Sequence, residues 1–441
     1  MKLQRSLGTL ALVFVMYFNT SGGPFTTETI VREVGPGLAL LLLVLIPLVW
    51  SLPEVLIIGE LASMLPVEGG YYRWVQRAFG DFWAFQNGWI TWMYSLVDMA
   101  LYPLLFIQYL KYFVPAMSGL AQWIVALAVI WGATAINLLG ARRVGWTSIA
   151  AGVFVIGVFM ALTLSSLPNA THAPWVPFVA PGQAPTSGLA VGLSIALWNY
   201  IGWDNASTVG QEIKDASRTY PRALAITLPL VMLGNLLPLL ATLSASDWRT
   251  WVDGGWPQIA MASAGAAGPV LAPLLALAGM ASALAFFNAL LLAYSRIPFV
   301  MAADGLLPAT LARLDARGTP RNAVLGAALA YSVFVLIPFG HLLIADVLLY
   351  ATALMLEFAA LITLRKREPD LRGAFRIPTG RAGVIAIGTL PLLVMFFVIG
   401  VSFYDGEYGV PAALGALTAL ALGPVAYLIV QARRRRFSSR T

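Results

Sequence analysis

Cysteine is absent from the 441 residues, which excludes disulfides and thiolate metal sites. Charge is scarce: 11% of residues are Asp, Glu, Lys or Arg, against roughly 25% in a soluble domain. With 59% hydrophobic residues and a mean hydropathy of +0.80, most of the surface must face something apolar. Histidine is nearly missing. The only two, His172 and His341, are far apart in the chain and fall at expected outer ends of spans. No cysteine, histidine cluster or paired-aspartate motif supplies the nucleophile, base or metal ligands of a membrane enzyme. No catalytic residue, cofactor or metal is therefore expected. Between apolar stretches there is no room for a soluble domain, so residues 1–441 read as a single membrane domain.

What the chain has is about twelve apolar stretches able to cross a hydrocarbon core of roughly 30 Å. They lie near 7–33, 37–62, 82–110, 118–139, 144–167, 187–210, 222–244, 268–301, 322–339, 343–364, 382–403 and 410–431. Turn formers fill the connections, as at Pro66 to Gly70, Pro174 to Gly188, Gly254-Gly255 and Pro369 to Gly380. The expected class is an all-α membrane protein. With the N-terminus inside, only Arg32, Lys111 and Arg249 of the 27 Lys and Arg fall outside, the bias of the positive-inside rule. Both termini are then cytoplasmic and the protein sits in the cell's inner membrane. The run Arg433-Arg434-Arg435-Arg436 flanks a span, where anionic lipid rather than nucleic acid is the ready partner. Lys2 and Arg5 precede an apolar run, but no Ala-x-Ala site follows, so the run reads as a helix and not as a signal peptide.

That helix breaks. Residues 8–18 are apolar but too short to span, and they stop at Asn19-Thr20-Ser21-Gly22-Gly23-Pro24. Paired glycines remove helix propensity, and Pro24 removes a backbone donor and clashes with the preceding turn. A second break follows the half-helix 188–198, at Asn199-Tyr200-Ile201-Gly202-Trp203-Asp204-Asn205, with a short helical continuation expected to Gln211. Irregular backbone at membrane depth is tolerated only where it is buried in protein or lines a cavity. Two breaks five spans apart cross in opposite senses, the pattern of an inverted repeat with a substrate site between discontinuous helices. Freed N–H groups at Ser21-Gly22-Gly23 suit a carboxylate or other anionic group. Freed carbonyls from Asn199 to Gly202 suit an ammonium. Tyr200 and Trp203 are either a wall or lid of that site or ordinary packing.

Acids are the other conspicuous feature. Glu28, Glu54, Asp98, Asp204, Asp346 and Glu357 lie in or near apolar sequence, while Arg296 is the only base clearly inside a span. A carboxylate there is protonated, hydrated, or neutralised by something that comes and goes. Asp98 is best placed, with Thr91, Tyr94, Ser95 and Tyr102 on its own helix face. It is either a cation or proton site or a structural acid bonded to those hydroxyls. Glu54 either couples to protons or satisfies backbone freed by Pro53; Glu28 and Asp204 either couple or cap the half-helices that follow the breaks. The surplus of acid points to a cationic or zwitterionic amine, a proton cycle, or both.

The strings Asn19 to Phe25, Pro47 to Glu54 and Glu60 to Tyr72 resemble the amino acid–polyamine–organocation permeases. So do Asp98 to Pro103, Trp203 to Thr208, Gly210 to Arg222, Ala302 to Pro308, Gly318-Thr319-Pro320 and Phe375 to Pro378. The resemblance is nearest to the branch of polyamine uptake proteins and light-chain-type amino acid exchangers. It implies a leucine-transporter-like fold: repeat one near 7–167, repeat two near 187–364, and extra helices near 382–403 and 410–431. It also implies alternating-access transport of an amino acid or polyamine, with helix one meeting the carboxylate or its polar equivalent and helix six the amine. The substrate set is then Asn19, Thr20, Ser21, Gly22, Gly23, Asp98, Tyr102, Asn199, Tyr200, Gly202, Trp203 and Asp204. Residues 144–167 hold no Lys or Arg, so the lysine that replaces sodium in some relatives is missing. Residues 285–296 also lack the acidic, serine-rich stretch of plant polyamine carriers, and offer no Ser/Thr pair for sodium. Proton coupling or exchange is the expectation.

Overall fold

The structure is a computed structural model that describes residues 3–182, 188–335, 339–404 and 409–438. Among the described residues every regular element is helical, and β-pairing is limited to two isolated bridges, Leu7 with Ile213 and Glu68 with Val209. In chain order the first helices are α1 (Thr9–Thr20), α2 (Thr27–Val34), α3 (Pro36–Ile46), α4 (Leu52–Met64), α5 (Gly70–Phe79) and α6 (Asp81–Leu110). Then come α7 (Gly119–Asn137), α8 (Ala141–Ser166), α9 (Leu189–Trp198), α10 (Ala216–Ala245), α11 (Trp256–Ser263) and α12 (Gly268–Tyr294). The last are α13 (Arg296–Ala303), α14 (Arg321–Phe334), α15 (Phe339–Arg367), α16 (Arg381–Tyr404) and α17 (Gly409–Ser438).

Nine helical runs among the described residues are long and apolar enough to cross a membrane, and α1 and α9 are shorter apolar helices. The protein is therefore a multi-pass membrane protein. Several expected boundaries shift for local reasons. The expected span 37–62 is α3 and α4 joined by a π-helical turn, Pro47–Ser51, bracketed by Pro47 and Pro53. The expected span 268–301 is α12 and α13, divided at Ser295. The expected span 322–339 is α14 as far as Phe334; residues 336–338 lie outside the described ones.

Both breaks form, each in its own way. At the first, α1 ends with the Ser21 and Gly22 N–H groups both donating to the Tyr17 carbonyl at 2.9 Å. The chain then passes through Gly22 and Gly23 at φ +60° and +119°, left-handed backbone that glycine adopts without a Cβ clash. Thr26 sits at φ +76°, an uncommon conformation for its type, and Asn199 Nδ2 holds its hydroxyl at 3.0 Å. At the second break the expected α-helical continuation to Gln211 does not form. Two 3₁₀ turns, Asn205–Thr208 and Gly210–Glu212, replace it, and α-helix resumes only at Ala216. Short polar side chains compete for the backbone here: Thr208 Oγ1 donates to the Asn205 carbonyl at 2.9 Å.

The two breaks touch. Gly202, at φ +97°, brings its Cα against the Asn19 carbonyl, where any Cβ would overlap that oxygen. Around them α12 forms the hub, lying along α6 and α8. Gly279 of α12 lets the Tyr109 ring of α6 lie flat against its backbone, the close approach that small residues give helices packed in membranes. Among the described residues Arg296 is buried with two acids, Glu212 and Glu68, and Arg365 is held by Glu60 at 2.5 and 2.6 Å, which also takes the Ile377 N–H. On the face carrying α2, Arg32 and Thr29 both meet Asp253, at 2.6 and 2.9 Å.

Candidate substrate site

Where the breaks meet α6, α12 and α15 there is a cavity of about 10 Å³, room for about one water molecule. Asn19 and Thr20 border it from the first break; Trp198, Ile201, Gly202 and Asn205 border it from α9 and the second. The opposite wall is Tyr94, Asp98 and Tyr102 of α6, Tyr294 of α12, and Asp346 and Tyr350 of α15.

Asp98 is the centre of a hydrogen-bonded cage. Its Oδ1 accepts from the Tyr102 hydroxyl at 2.6 Å and from Trp198 Nε1 at 3.4 Å, and its Oδ2 accepts from the Tyr294 hydroxyl at 2.9 Å. Asp346 adds a second carboxyl to the same cavity; it is buried and its Oδ1 makes no hydrogen bond. No salt bridge reaches either acid among the described residues. Aromatic rings complete the wall. Tyr102, Phe286 and Trp198 form a triangle of rings, Tyr102 lying 4.7 and 5.9 Å from the other two, which are 6.0 Å apart, and Tyr94 meets Tyr294 and Tyr350 edge-on, both at 5.6 Å. Two carboxyls, aromatic faces and no resident cation make a site that attracts an ammonium.

Next to this cavity is a second acid group. Tyr350 Oη lies between Glu54 Oε1 and Asp204 Oδ1, 2.7 Å from the latter and in a very short contact with the former. The same oxygen accepts the Gly202 N–H at 2.9 Å, and Glu54 Oε1 accepts the Trp203 N–H at 3.2 Å. Asp204 therefore bonds α15 and makes no side-chain cap on the turn that follows it.

The other expected site residues lie just behind the wall. Ser21 donates to the Asn235 side chain and the Gly23 carbonyl, and the Gly22 carbonyl accepts from Ser282 Oγ at 2.7 Å. Asn199 serves Thr26 and the Ile195 carbonyl. Tyr200 is fully buried, its hydroxyl on the Leu43 carbonyl, and its carbonyl accepts from Ser51 Oγ and Trp203 Nε1. Glu28 lies on the Arg32 side, accepting the Gly254 N–H at 2.9 Å. Trp198, Tyr294, Asp346 and Tyr350 were not among the expected site residues. For the last two the sequence did hold a signal: they are four apart, hence on one helix face.

Opposite Asp253, the N-terminal segment is clipped to the second break. The Ser6 and Leu7 N–H groups donate to the Glu212 carbonyl, and the Lys214 N–H donates to the Leu7 carbonyl. Beneath the clip, Arg296 binds Glu212 Oε1 at 2.5 and 3.0 Å and lies 3.6 Å from Glu68. Burial, together with the Glu212 carboxylate, pushes the Glu68 carboxyl well above its usual range. A surface cavity of about 930 Å³, bordered by Arg5, Glu68 and Arg73 among others, opens beside this cluster.

The sequence profile described as amino acid permease matches residues 7–421. A probable polyamine transporter of Arabidopsis thaliana is 35% identical over 90% of this chain and 82% of its own length. A polyamine transporter of Oryza sativa subsp. japonica is 34% identical over 98% of this chain and 81% of its own. Another polyamine transporter of Arabidopsis thaliana is 31% identical, over 96% and 84%.

Proposed function

Since the chain belongs to the amino acid permease family, whose members are transporters and not enzymes, we propose that its substrate is an organic amine, and specifically a di- or polyamine, carried by alternating access. The observation that carries this reading is the pairing of Asp98 and Asp346 in one aromatic-walled cavity without a basic residue. An amino acid would also need donors for its carboxylate. The Ser21 and Gly22 N–H groups are occupied by the Tyr17 carbonyl, which argues for a substrate with ammonium groups at both ends. The names of the relatives point the same way.

Within this reading Asp98 and Asp346 each receive an ammonium, and Tyr102, Trp198 and Tyr294 orient Asp98 and shield the charge. Asn19, Thr20, Asn205 and the Gly202 backbone contact the chain between the amines. Ser21, Gly22, Gly23, Asn199, Tyr200 and Trp203 support the two breaks. The cavity as it stands is far too small for a polyamine, so loading requires the walls to part. Within this reading the buried Arg296 cluster helps hold the walls together.

The finer architecture belongs to the same proposal: about twelve spans, two inverted repeats near 7–167 and 187–364, and two extra helices. The distribution of Lys and Arg supports cytoplasmic termini and residence in the cell's inner membrane. Anionic lipid is the companion of the basic end of α17. Proton coupling or exchange is favoured over sodium, because 285–296 presents no Ser/Thr pair for a sodium ion.

The test is uptake into proteoliposomes. Labelled diamine or polyamine is expected to accumulate inside vesicles carrying the purified protein, to be competed by unlabelled polyamine, and to persist when sodium is replaced by choline. Uptake of amino acids with no uptake of any polyamine would overturn the substrate assignment, and dependence on sodium would overturn the coupling.

A further inference from the structure

The Tyr350 hydroxyl has one hydrogen but two carboxyl neighbours. Gly202 N–H already donates to its oxygen, so the two contacts to Glu54 and Asp204 need two hydrogens along the O···O lines. The tyrosine supplies one. The other must come from a carboxylic acid on Glu54 or Asp204; without it, a carboxylate would face an oxygen lone pair within hydrogen-bonding distance. No salt bridge reaches either group among the described residues.

Other groups around the pair point the same way. Glu357, about two turns along α15 from Tyr350 and beside Asp204, is 1% exposed and neither of its oxygens makes a hydrogen bond. Glu54 Oε2 is likewise buried and unpartnered. The remaining titratable groups that face the cluster are phenols: Tyr71 of α5, Tyr94 of α6 and Tyr220 of α10. Asn87 of α6 and Trp50 of the π-turn are its neutral polar neighbours. Glu60, further along α4, is committed to Arg365. Three carboxyls thus share a site whose other walls are neutral. The described residues contain no group of three or more His, Cys, Asp or Glu arranged to hold a metal ion, and the hydrogen missing from one of the two O···O lines is what a proton supplies.

We propose that Glu54 and Asp204 share one proton across the Tyr350 hydroxyl, with Glu357 as a third, protonated partner, and that this shared proton is the coupling ion of the transport cycle. The proposal rests on the transporter reading above and names the ion and the groups that carry it. Transfer is balanced: Tyr350 gives its hydrogen to one carboxylate as it takes the proton of the other, so the phenol ends unchanged. The link to substrate is direct. Tyr350 and Gly202 border the substrate cavity while bonded to each other, and Gly202 is in contact with Asn19 of the first break. Once the proton leaves, two carboxylates face one hydroxyl and repel. One of them must separate from Tyr350, and the contact between the broken helices moves with it.

The test reads the proton itself. Infrared difference spectra of the purified protein at neutral pH, without substrate, are expected to show a carboxylic acid C=O band that Glu54→Gln removes and Tyr350→Phe shifts. Glu54→Gln is also expected to bring pH-driven polyamine accumulation down to the level reached without a gradient. Should Glu54→Gln fail to fold, Tyr350→Phe and Asp204→Asn carry the same comparison. An acid C=O region unchanged in every folded variant overturns the proposal. So does pH-driven accumulation that survives in folded Glu54→Gln or Tyr350→Phe. Absence of amine uptake in the unmodified protein would strike the transport reading instead, and the infrared result would still decide whether the proton is shared.

Discussion

Asp98→Asn is expected to lower polyamine uptake by about tenfold or more at subsaturating substrate, because it deletes the charge that the Tyr102, Trp198 and Tyr294 donors encircle. A hydrogen bond to a charged group contributes about 1.5–3 kcal/mol, and each 1.4 kcal/mol is about tenfold in affinity. The asparagine is nearly isosteric, so the helices need not repack. The two tyrosine hydroxyls lose a charged acceptor, and the one left facing the amide NH2 must turn its hydrogen away. Asp346→Asn should give the same sign, with the larger deficit on substrates that carry two or more ammonium groups. The measurement is initial uptake rate against concentration in proteoliposomes of equal protein content. If Asp98→Asn transports at the original affinity and rate, Asp98 is a structural acid held by its tyrosines and the substrate binds elsewhere.

Arg296→Met is expected to lower folding stability by about 3–5 kcal/mol, the cost of removing one partner from a buried ion pair. The side chains of Arg296, Glu212 and Glu68 are only 1%, 5% and 6% exposed. Without the guanidinium, Glu212 is left as an uncompensated charge, with Glu68 beside it. Adding Glu212→Gln to Arg296→Met should recover part of the loss, since the double variant strands no charge. Arg296→Lys should fall between, because a single ammonium cannot reproduce the Nε and Nη2 bonds to Glu212. Thermal unfolding of the detergent-solubilised protein gives the order. A melting temperature for Arg296→Met equal to that of the unmodified protein would mean that the cluster is solvated. It would then not be the lock that joins the N-terminal segment, the second break and the α12–α13 junction.

Some of this was legible in the sequence and some was not, for physical reasons. Both breaks could be read, because Gly-Gly-Pro and the Asn-Gly-Asp-Asn run oppose a helix locally, whatever surrounds them. The helical continuation after the second break could not. Asn205, Ser207, Thr208 and Gly210 weaken an α-helix there, but the 3₁₀ turns arise from side chains such as Thr208 bonding back to the chain and to α12. Tyr102 was legible beside Asp98 because helix periodicity puts i and i+4 on one face. Trp198 and Tyr294 were not, because they reach Asp98 from elements 100 and 196 positions away, and no local pattern encodes that. The same limit hid the role of Tyr350: Asp346, four residues before it, is a local signal, but Glu54 and Asp204 reach its hydroxyl from other elements. Tyr200 and Trp203 show the reverse case. As aromatics in a broken helix they read equally as wall or as packing, and they lie behind the cavity, bonded to backbone.

The central claim is that a polyamine binds between the two breaks at Asp98. Its most direct measurement is the shift in unfolding temperature of the purified protein across a ladder of monoamines, diamines, polyamines and amino acids, alongside Asp98→Asn. Ligand that binds only the folded state stabilises it by mass action, about 2.7 kcal/mol at a hundredfold excess over Kd. The account predicts shifts that grow from mono- to di- to polyamine, are small for amino acids, and collapse in Asp98→Asn. Equal shifts in Asp98→Asn and the unmodified protein, or shifts with amino acids alone, would contradict it.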